Sequence, residues 1–163
     1  MQKLFIAIAL LVASCSSFSQ ETYTDKFYKR FKSYDEGGEN FIKPVLSLNA
    51  CFSDGDNKGW FDKIVQFRVL VLDNKTAPSL RQEWDGLVRA LGKDEYEDLV
   101  TFRQGKDYFR LMLKEVKEGM KDVVLLSAGK DGSCLFVDLR GRFTAHDIDR
   151  IQTAFNEETA SAR

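Results

Sequence analysis

Catalytic chemistry in this chain would rest on few residues, because it carries one histidine, His146, and three cysteines, Cys15, Cys51 and Cys134, among 163 residues. His146 has Asp147 and Asp149 beside it and could act as a general base if a nucleophile lay opposite. Two features weigh against that: a helix N-terminus, where the pattern puts His146, disfavours imidazolium, and no G-x-S-x-G elbow is present. A surface or capping-region histidine is the plainer reading. Carboxylate groupings are common, at Asp54/Asp56, Glu95/Glu97/Asp98 and Asp147/Asp149. Their abundance makes none of them diagnostic of glycosidase-type chemistry, which needs a defined separation across a cleft.

Bound groups find no better support. Two distant internal cysteines and one histidine do not make the closely spaced ligand pairs of a zinc site. The segment Asp54-Gly55-Asp56-Asn57-Lys58-Gly59 opens like a calcium loop. However, Lys58 stands where an oxygen ligand is needed and Val65 where a bidentate glutamate belongs. Asp131-Gly132 reads as a hairpin turn, since no glycine-rich phosphate loop is present. Basic and acidic groups nearly cancel, 24 against 25, which argues against a nucleic-acid partner. Arg140-Gly141-Arg142 is the compact basic tripeptide and reads as a solvated strand exit, with contact to an acidic lipid or polysaccharide group as its functional alternative. The expectation is therefore no cofactor, no metal and no catalytic residue.

The cysteines divide by position. Lys3, the apolar run Leu4 to Ala13 and the small polar residues Ser14 to Ser17 have the form of a signal peptide. Ten apolar residues rise only about 15 Å as a helix, half of a bilayer core. Val12-Ala13-Ser14-Cys15 resembles a lipobox, in which the Cys15 thiol would take a diacylglycerol and become the new N-terminus. Ser17-Phe18-Ser19 also suits ordinary signal peptidase, which would leave Gln20 first. Export would put Cys51 and Cys134 where a disulfide can persist. A bridge between them would stabilise the fold by about 4 to 5 kcal/mol on the chain-entropy view; the alternative is two buried thiols acting as small hydrophobes.

These residues need a scaffold, and the pattern supplies one. Phe27, Phe31 and Tyr34 recur at helical spacing among Lys26, Lys29, Arg30 and Lys32, which predicts an amphipathic helix over Thr24 to Asp35 that docks on a core or lies on a membrane surface. Val45 to Phe52 alternates like a strand. The run Val69-Leu70-Val71-Leu72 reads as buried on both faces and so central in its sheet. Ser79 with Gln82 forms a capping-box pattern for a helix to Leu91, with Gly92 as its stop. Leu99 to Arg103, Tyr108 to Val116, Val123 to Ala128 and Cys134 to Arg140, separated by short glycine-bearing turns, predict a meander of hairpins. By periodicity Tyr108 to Val116 is equally helix or strand. Thr144 and Asp147 cap a last helix with Ile148, Ile151 and Phe155 on its apolar face.

The expected organisation is a signal peptide over 1–19, an amphipathic helix and linker over 20–40, one α+β domain over 41–156 and a frayed tail over 157–163. The fold class is α+β, a single domain with a mainly antiparallel sheet of about six strands and about three helices covering one of its faces. The sequence resembles the exported bacterial family known as domain of unknown function 4252. The resemblance rests on Ile64 to Asp73, Tyr96-Glu97-Asp98-Leu99-Val100, Val123-Val124-Leu125-Leu126 and Leu135-Phe136-Val137-Asp138-Leu139-Arg140-Gly141. It implies that Tyr108 to Val116 is a strand, that the protein is a small envelope lipoprotein or periplasmic protein, and no catalytic residue.

The expected function is a non-catalytic binding or assembly accessory module of the cell envelope, in the outer membrane or periplasm, or secreted. Its partner would be an envelope protein or ligand, with a membrane contact through lipid on Cys15. Alternatives are a carrier of a small apolar ligand near Phe61, Trp84 or Phe109, and an envelope hydrolase using acidic residues or His146.

Overall fold

The computed structural model describes residues 21–36, 62–105, 107–116 and 119–161, without the side chains of residues 154 and 157–161. The signal peptide with Cys15, the expected strand Val45 to Phe52, Cys51, the Asp54 to Gly59 loop and Phe61 lie outside the described residues.

Helix α1 spans Tyr23–Phe31 and continues as a 3-10 turn, Lys32–Tyr34. It starts where Thr22 and Asp25 satisfy each other's backbone N–H groups, at 3.0 and 3.1 Å, a reciprocal capping box. Its aromatic stripe turns inward. Phe27 and Phe31 are buried, and the Phe27 ring lies 5.2 Å from Phe136 and 5.9 Å from Trp84.

Five strands follow: β1 Ile64–Asp73, β2 Glu97–Gln104, β3 Asp107–Glu115, β4 Lys121–Ala128 and β5 Ser133–Gly141. They form one antiparallel sheet in the order β1-β5-β4-β3-β2. The meander is as expected, and the ambiguous segment is strand β3. At the β4–β5 turn Gly132 has φ +92°, a conformation that favours glycine, and its carbonyl accepts the Asn74 N–H at 3.1 Å.

Among the described residues strand β1 is at the sheet edge, not at its centre. Its apolar run was misleading because both faces at its C-terminal half are covered, while Val65 and Phe67 are 63% and 49% exposed. Part of the outer edge is closed by the chain leaving α1. The Val71 N–H donates to Asp35 Oδ1 at 2.8 Å, and the Val71 carbonyl accepts the Glu36 N–H at 2.9 Å.

Helix α2 spans Leu80–Lys93 and buries Leu80, Trp84, Leu87 and Leu91. The expected Ser79 capping box does not form. Ser79 has φ +63° and its side chain makes no cap hydrogen bond, because a helix N-cap side chain reaches its target from extended backbone, not from the left-handed region. Nor is Gly92 the stop: the helix continues to Lys93, and the left-handed residue beyond it is Glu95, at φ +60°.

Helix α3 spans Ala145–Ser161, so the tail expected to fray from residue 157 is helical through Ser161. Its start is as the sequence indicated: the Thr144 N–H donates to Asp147 Oδ2 at 2.7 Å, and Thr144 Oγ1 accepts the Asp147 N–H at 3.2 Å.

The helices do not share one face. Helices α1 and α2 pack with Leu70, Leu72, Met112, Val124, Leu126 and Phe136, whereas α3 packs on Leu111, Val123, Leu125, Leu135, Val137 and Leu139. The side chains of a strand alternate faces, and β4 and β5 are apolar at both phases, so each face needs a cover.

Candidate functional site

The strand register arranges the α1/α2 face in cross-strand rows. Nearest the β4–β5 turn stand Leu72, Cys134, Ala128 and Tyr108, then Leu70, Phe136, Leu126 and Arg110. Next come Arg68, Asp138, Val124 and Met112, and last Gln66, Arg140, Asp122 and Lys114. One end of this face is therefore apolar and the other is charged.

Asp138 is fully buried at the start of the charged end. Its Oδ2 accepts from Arg68 Nε at 3.0 Å and from Gln66 Nε2 at 3.2 Å, while Oδ1 is buried without a hydrogen-bond partner. Burial pushes its carboxyl above the usual range, with the Arg68 charge opposing. Arg68 also reaches Asp25 of α1 at 2.8 Å and lies 5.0 Å over the Tyr28 ring. For Asp25, burial acts upward, but the Thr22 hydroxyl and N–H, with Arg68, outweigh it and hold the carboxyl below its usual range.

The adjoining row is also paired. Arg140 holds Asp122 through two guanidinium nitrogens, Nη2 at 2.8 Å. The Tyr96 hydroxyl is 3.4 Å from Asp122 Oδ2, and burial, then the Asp122 charge, push that phenol upward. Arg110 forks onto Asp98, and Lys114 bridges to Asp94 at 2.9 Å. Chemically this is a carboxylate–guanidinium lattice. It fixes the strands and α1 relative to one another, while Asp138 has no solvent-exposed surface through which to meet a substrate.

The sequence-level candidates are dispersed. His146 is exposed on the first turn of α3. Its neighbour Asp147 is buried and salt-bridged to Lys63 at 2.8 Å, while Asp149 is exposed. Burial acts to raise Asp147, but Lys63 and Thr144 outweigh it and lower it overall. Cys134 is buried and bonded to no cysteine among the described residues, and as a thiol it is pushed up to about 12, first by burial and then by the charges of Asp131, Asp73 and Asp85. Its expected partner Cys51 lies outside the described residues. Arg140 is not a solvated strand exit, because Asp122 fixes it; Arg142 is exposed. Trp84 and Phe109 lie on opposite faces, Phe109 at 5.4 Å from the Phe155 ring.

Sequence reasoning passed over Asp25, Arg68, Asp122 and Asp138. Their signal was a phase: Arg68 shares parity with Leu70 and Leu72, and Asp138 with Cys134 and Phe136. Opposite charges therefore sit on core-facing positions of two apolar strands.

Two open grooves flank α2. One, of about 590 Å³, runs past Trp84, Tyr108 and Cys134 at the hairpin end. The other, of about 570 Å³, lies between α1 and α2. No helix among the described residues is long and apolar enough to cross a membrane.

Fold and site together define a five-stranded antiparallel α+β domain with one apolar and one partly charged sheet face. The sequence matches the family Domain of unknown function (DUF4252) over residues 40–151, and the chain belongs to that family. The matched segment starts after α1, although Phe27 and Phe31 of α1 are part of the domain's core. No curated protein and no solved structure matches the chain.

Proposed function

We propose that this is an exported, lipid-anchored protein of the cell envelope that acts as a non-catalytic binding or assembly module. The observation that carries the proposal is Val12-Ala13-Ser14-Cys15 directly abutting the apolar run Leu4 to Ala13 behind Lys3. A lipidated cysteine needs no catalytic apparatus in the domain that it tethers. The domain's carboxylates support this reading, because Asp98, Asp122, Asp138 and Asp147 are each held by a cation in the scaffold. Ser16 after the cysteine, in place of an aspartate, favours the outer membrane as destination.

The test is intact-mass spectrometry of the mature protein with membrane fractionation after a high-salt wash. The expected result is a diacylglyceryl-modified Cys15 N-terminus and retention in the membrane, both abolished by Cys15→Ser. A mature protein beginning at unmodified Gln20 would refute the anchor.

A further inference from the structure

The groove between α1 and α2 joins an apolar floor to a charged, solvent-exposed rim. Its floor is Phe27, Leu87 and Ala90, and at Gly86 an added Cβ would meet nothing within 4 Å. Its rim carries three cations, Lys26, Lys29 and Arg30, all exposed, against two carboxylates, Glu21 and Glu83, with Tyr23, which is 49% exposed. The helix sorts its charges by direction. Asp25 turns to Arg68 in the sheet, and Asp35 and Glu36 turn to Val71 and Thr76 at the sheet edge. The cations face outward, with Lys29 paired to Glu21, Arg30 to Glu83, and Lys26 set over the Tyr23 ring at 5.8 Å.

The place of this face in the chain matters equally. Only six residues separate Cys15 from Thr22, the cap of α1. At about 3.3 to 3.6 Å per extended residue, such a tether spans no more than about 25 Å. A lipid on Cys15 would thus hold this groove near the bilayer at all times.

We propose that the α1–α2 groove docks on an anionic phospholipid surface, with headgroup phosphates taken by Lys26, Lys29 and Arg30 and Tyr23 at the interface. The proposal rests on the lipid-anchor reading for its geometry. It differs from a surface helix that inserts its aromatic stripe, since Phe27 and Phe31 are committed to the core. Each cation near an anionic surface contributes about 1 kcal/mol, so the three together correspond to about 100-fold in vesicle affinity. Salt weakens such contacts, which is why a high-salt wash separates this adsorption from lipid anchoring.

The experiment uses the mature protein carrying Cys15→Ser, sedimented with vesicles of phosphatidylcholine alone or mixed with phosphatidylglycerol, at low and high salt. Binding is expected only to the phosphatidylglycerol vesicles and only at low salt. It should fall about 100-fold in Lys26→Gln/Lys29→Gln/Arg30→Gln and about 5-fold in Gly86→Glu, which adds one carboxylate to the groove at a position where a Cβ meets nothing within 4 Å. Arg142→Gln, a change to an exposed cation outside the groove, should leave binding unaltered, and thermal unfolding should show all variants folded. No binding to phosphatidylglycerol, or equal binding by the groove variants, would overturn the proposal. Intact vesicle binding with an unlipidated wild-type Cys15 would sink the anchor and support the groove.

Discussion

The two faces of the sheet are built to different rules. On the α3 side the register stacks Val69, Val137, Leu125, Leu111 and Val100 in one row and Phe67, Leu139, Val123 and Leu113 in the next. Ile148, Ile151 and Phe155 pack on these rows apart from the half-exposed Phe67, and the polar ties of α3 lie at the margins of the face, Asp147 to Lys63 at 2.8 Å and Gln152 Nε2 to the Leu99 carbonyl at 2.9 Å. On the α1/α2 side, two largely apolar rows give way to Arg68, Asp138, Arg140 and Asp122. Burying charge costs desolvation that pairing roughly repays, so the contribution of such groups to stability is modest while their geometry is exacting. Helix α1 is thus held by two means. Phe27 and Phe31 supply the attraction, and the Asp25–Arg68–Asp138 chain fixes its place along β1.

Removing a charge from one face and a ring from the other should have different consequences. Arg68→Leu strands Asp138 and should cost about 3 to 5 kcal/mol, measured by chemical denaturation. Arg68→Leu/Asp138→Leu should regain most of that, because an apolar pair replaces an unpaired buried carboxylate. Phe155→Ala on the other face should cost a similar 3 to 5 kcal/mol or so through a cavity, but with no partner substitution that restores it. If the double variant is no more stable than Arg68→Leu, the charged end is not a separable lattice.

Backbone proximity gives the next effect. An added Cβ at Gly141 would sit 2.5 Å from the Lys63 carbonyl oxygen and 2.5 Å from the Phe143 ring. That carbonyl also accepts the Arg142 N–H at 2.9 Å and cannot swing aside freely. Gly141→Ala should therefore destabilise by about 1 to 3 kcal/mol, read as a lower denaturation midpoint with unchanged slope.

The faces should also differ in acid. Asp147, lowered in the folded state, contributes stability that is present above an unfolded pKa of about 3.9 and is lost as pH falls through its folded value. Asp25 has the same sign. Asp138, raised, has the opposite sign: its protonation is favoured by folding, so acid titration of this group adds stability and partly offsets Asp25 on the same face. Asp147→Asn should cost about 1 kcal/mol at neutral pH, as loss of a cap and its ion pair. It should also flatten the acid limb of the stability curve. An unaltered acid limb would mean that Asp147 titrates alike folded and unfolded.

Much of this architecture was legible because periodicity reports what a segment buries. The Phe27/Phe31 stripe, the hairpin meander and the Thr144/Asp147 cap all depend on residues close in sequence. The edge position of β1 was not, since Val69 to Leu72 is covered by helices on both faces and by Asp35 and Glu36 from the chain beyond α1. Ser79 misled for a local reason: the turn from Asp73, closed by its carbonyl to Thr76 and Ala77, delivers Ser79 in a left-handed conformation that its capping-box pattern does not reveal. The candidate site was hidden further, because Arg68 and Asp138 are 70 residues apart and become partners only once β1 pairs with β5.

The smallest expected effect concerns the residue whose chemistry first drew notice. His146 is exposed on the outer side of the first turn of α3, while the inward positions of that turn belong to Asp147 and Ile148. The capping bonds run between Thr144 and Asp147 without it. His146→Ala should change stability by no more than about 0.5 kcal/mol, the range for surface sites that take part in no such feature, and should leave vesicle binding unchanged. A loss above about 1 kcal/mol, or weakened vesicle binding, would show that the α3 face carries working chemistry. The contrast between a packing face and a charged face would then fail at its simplest point.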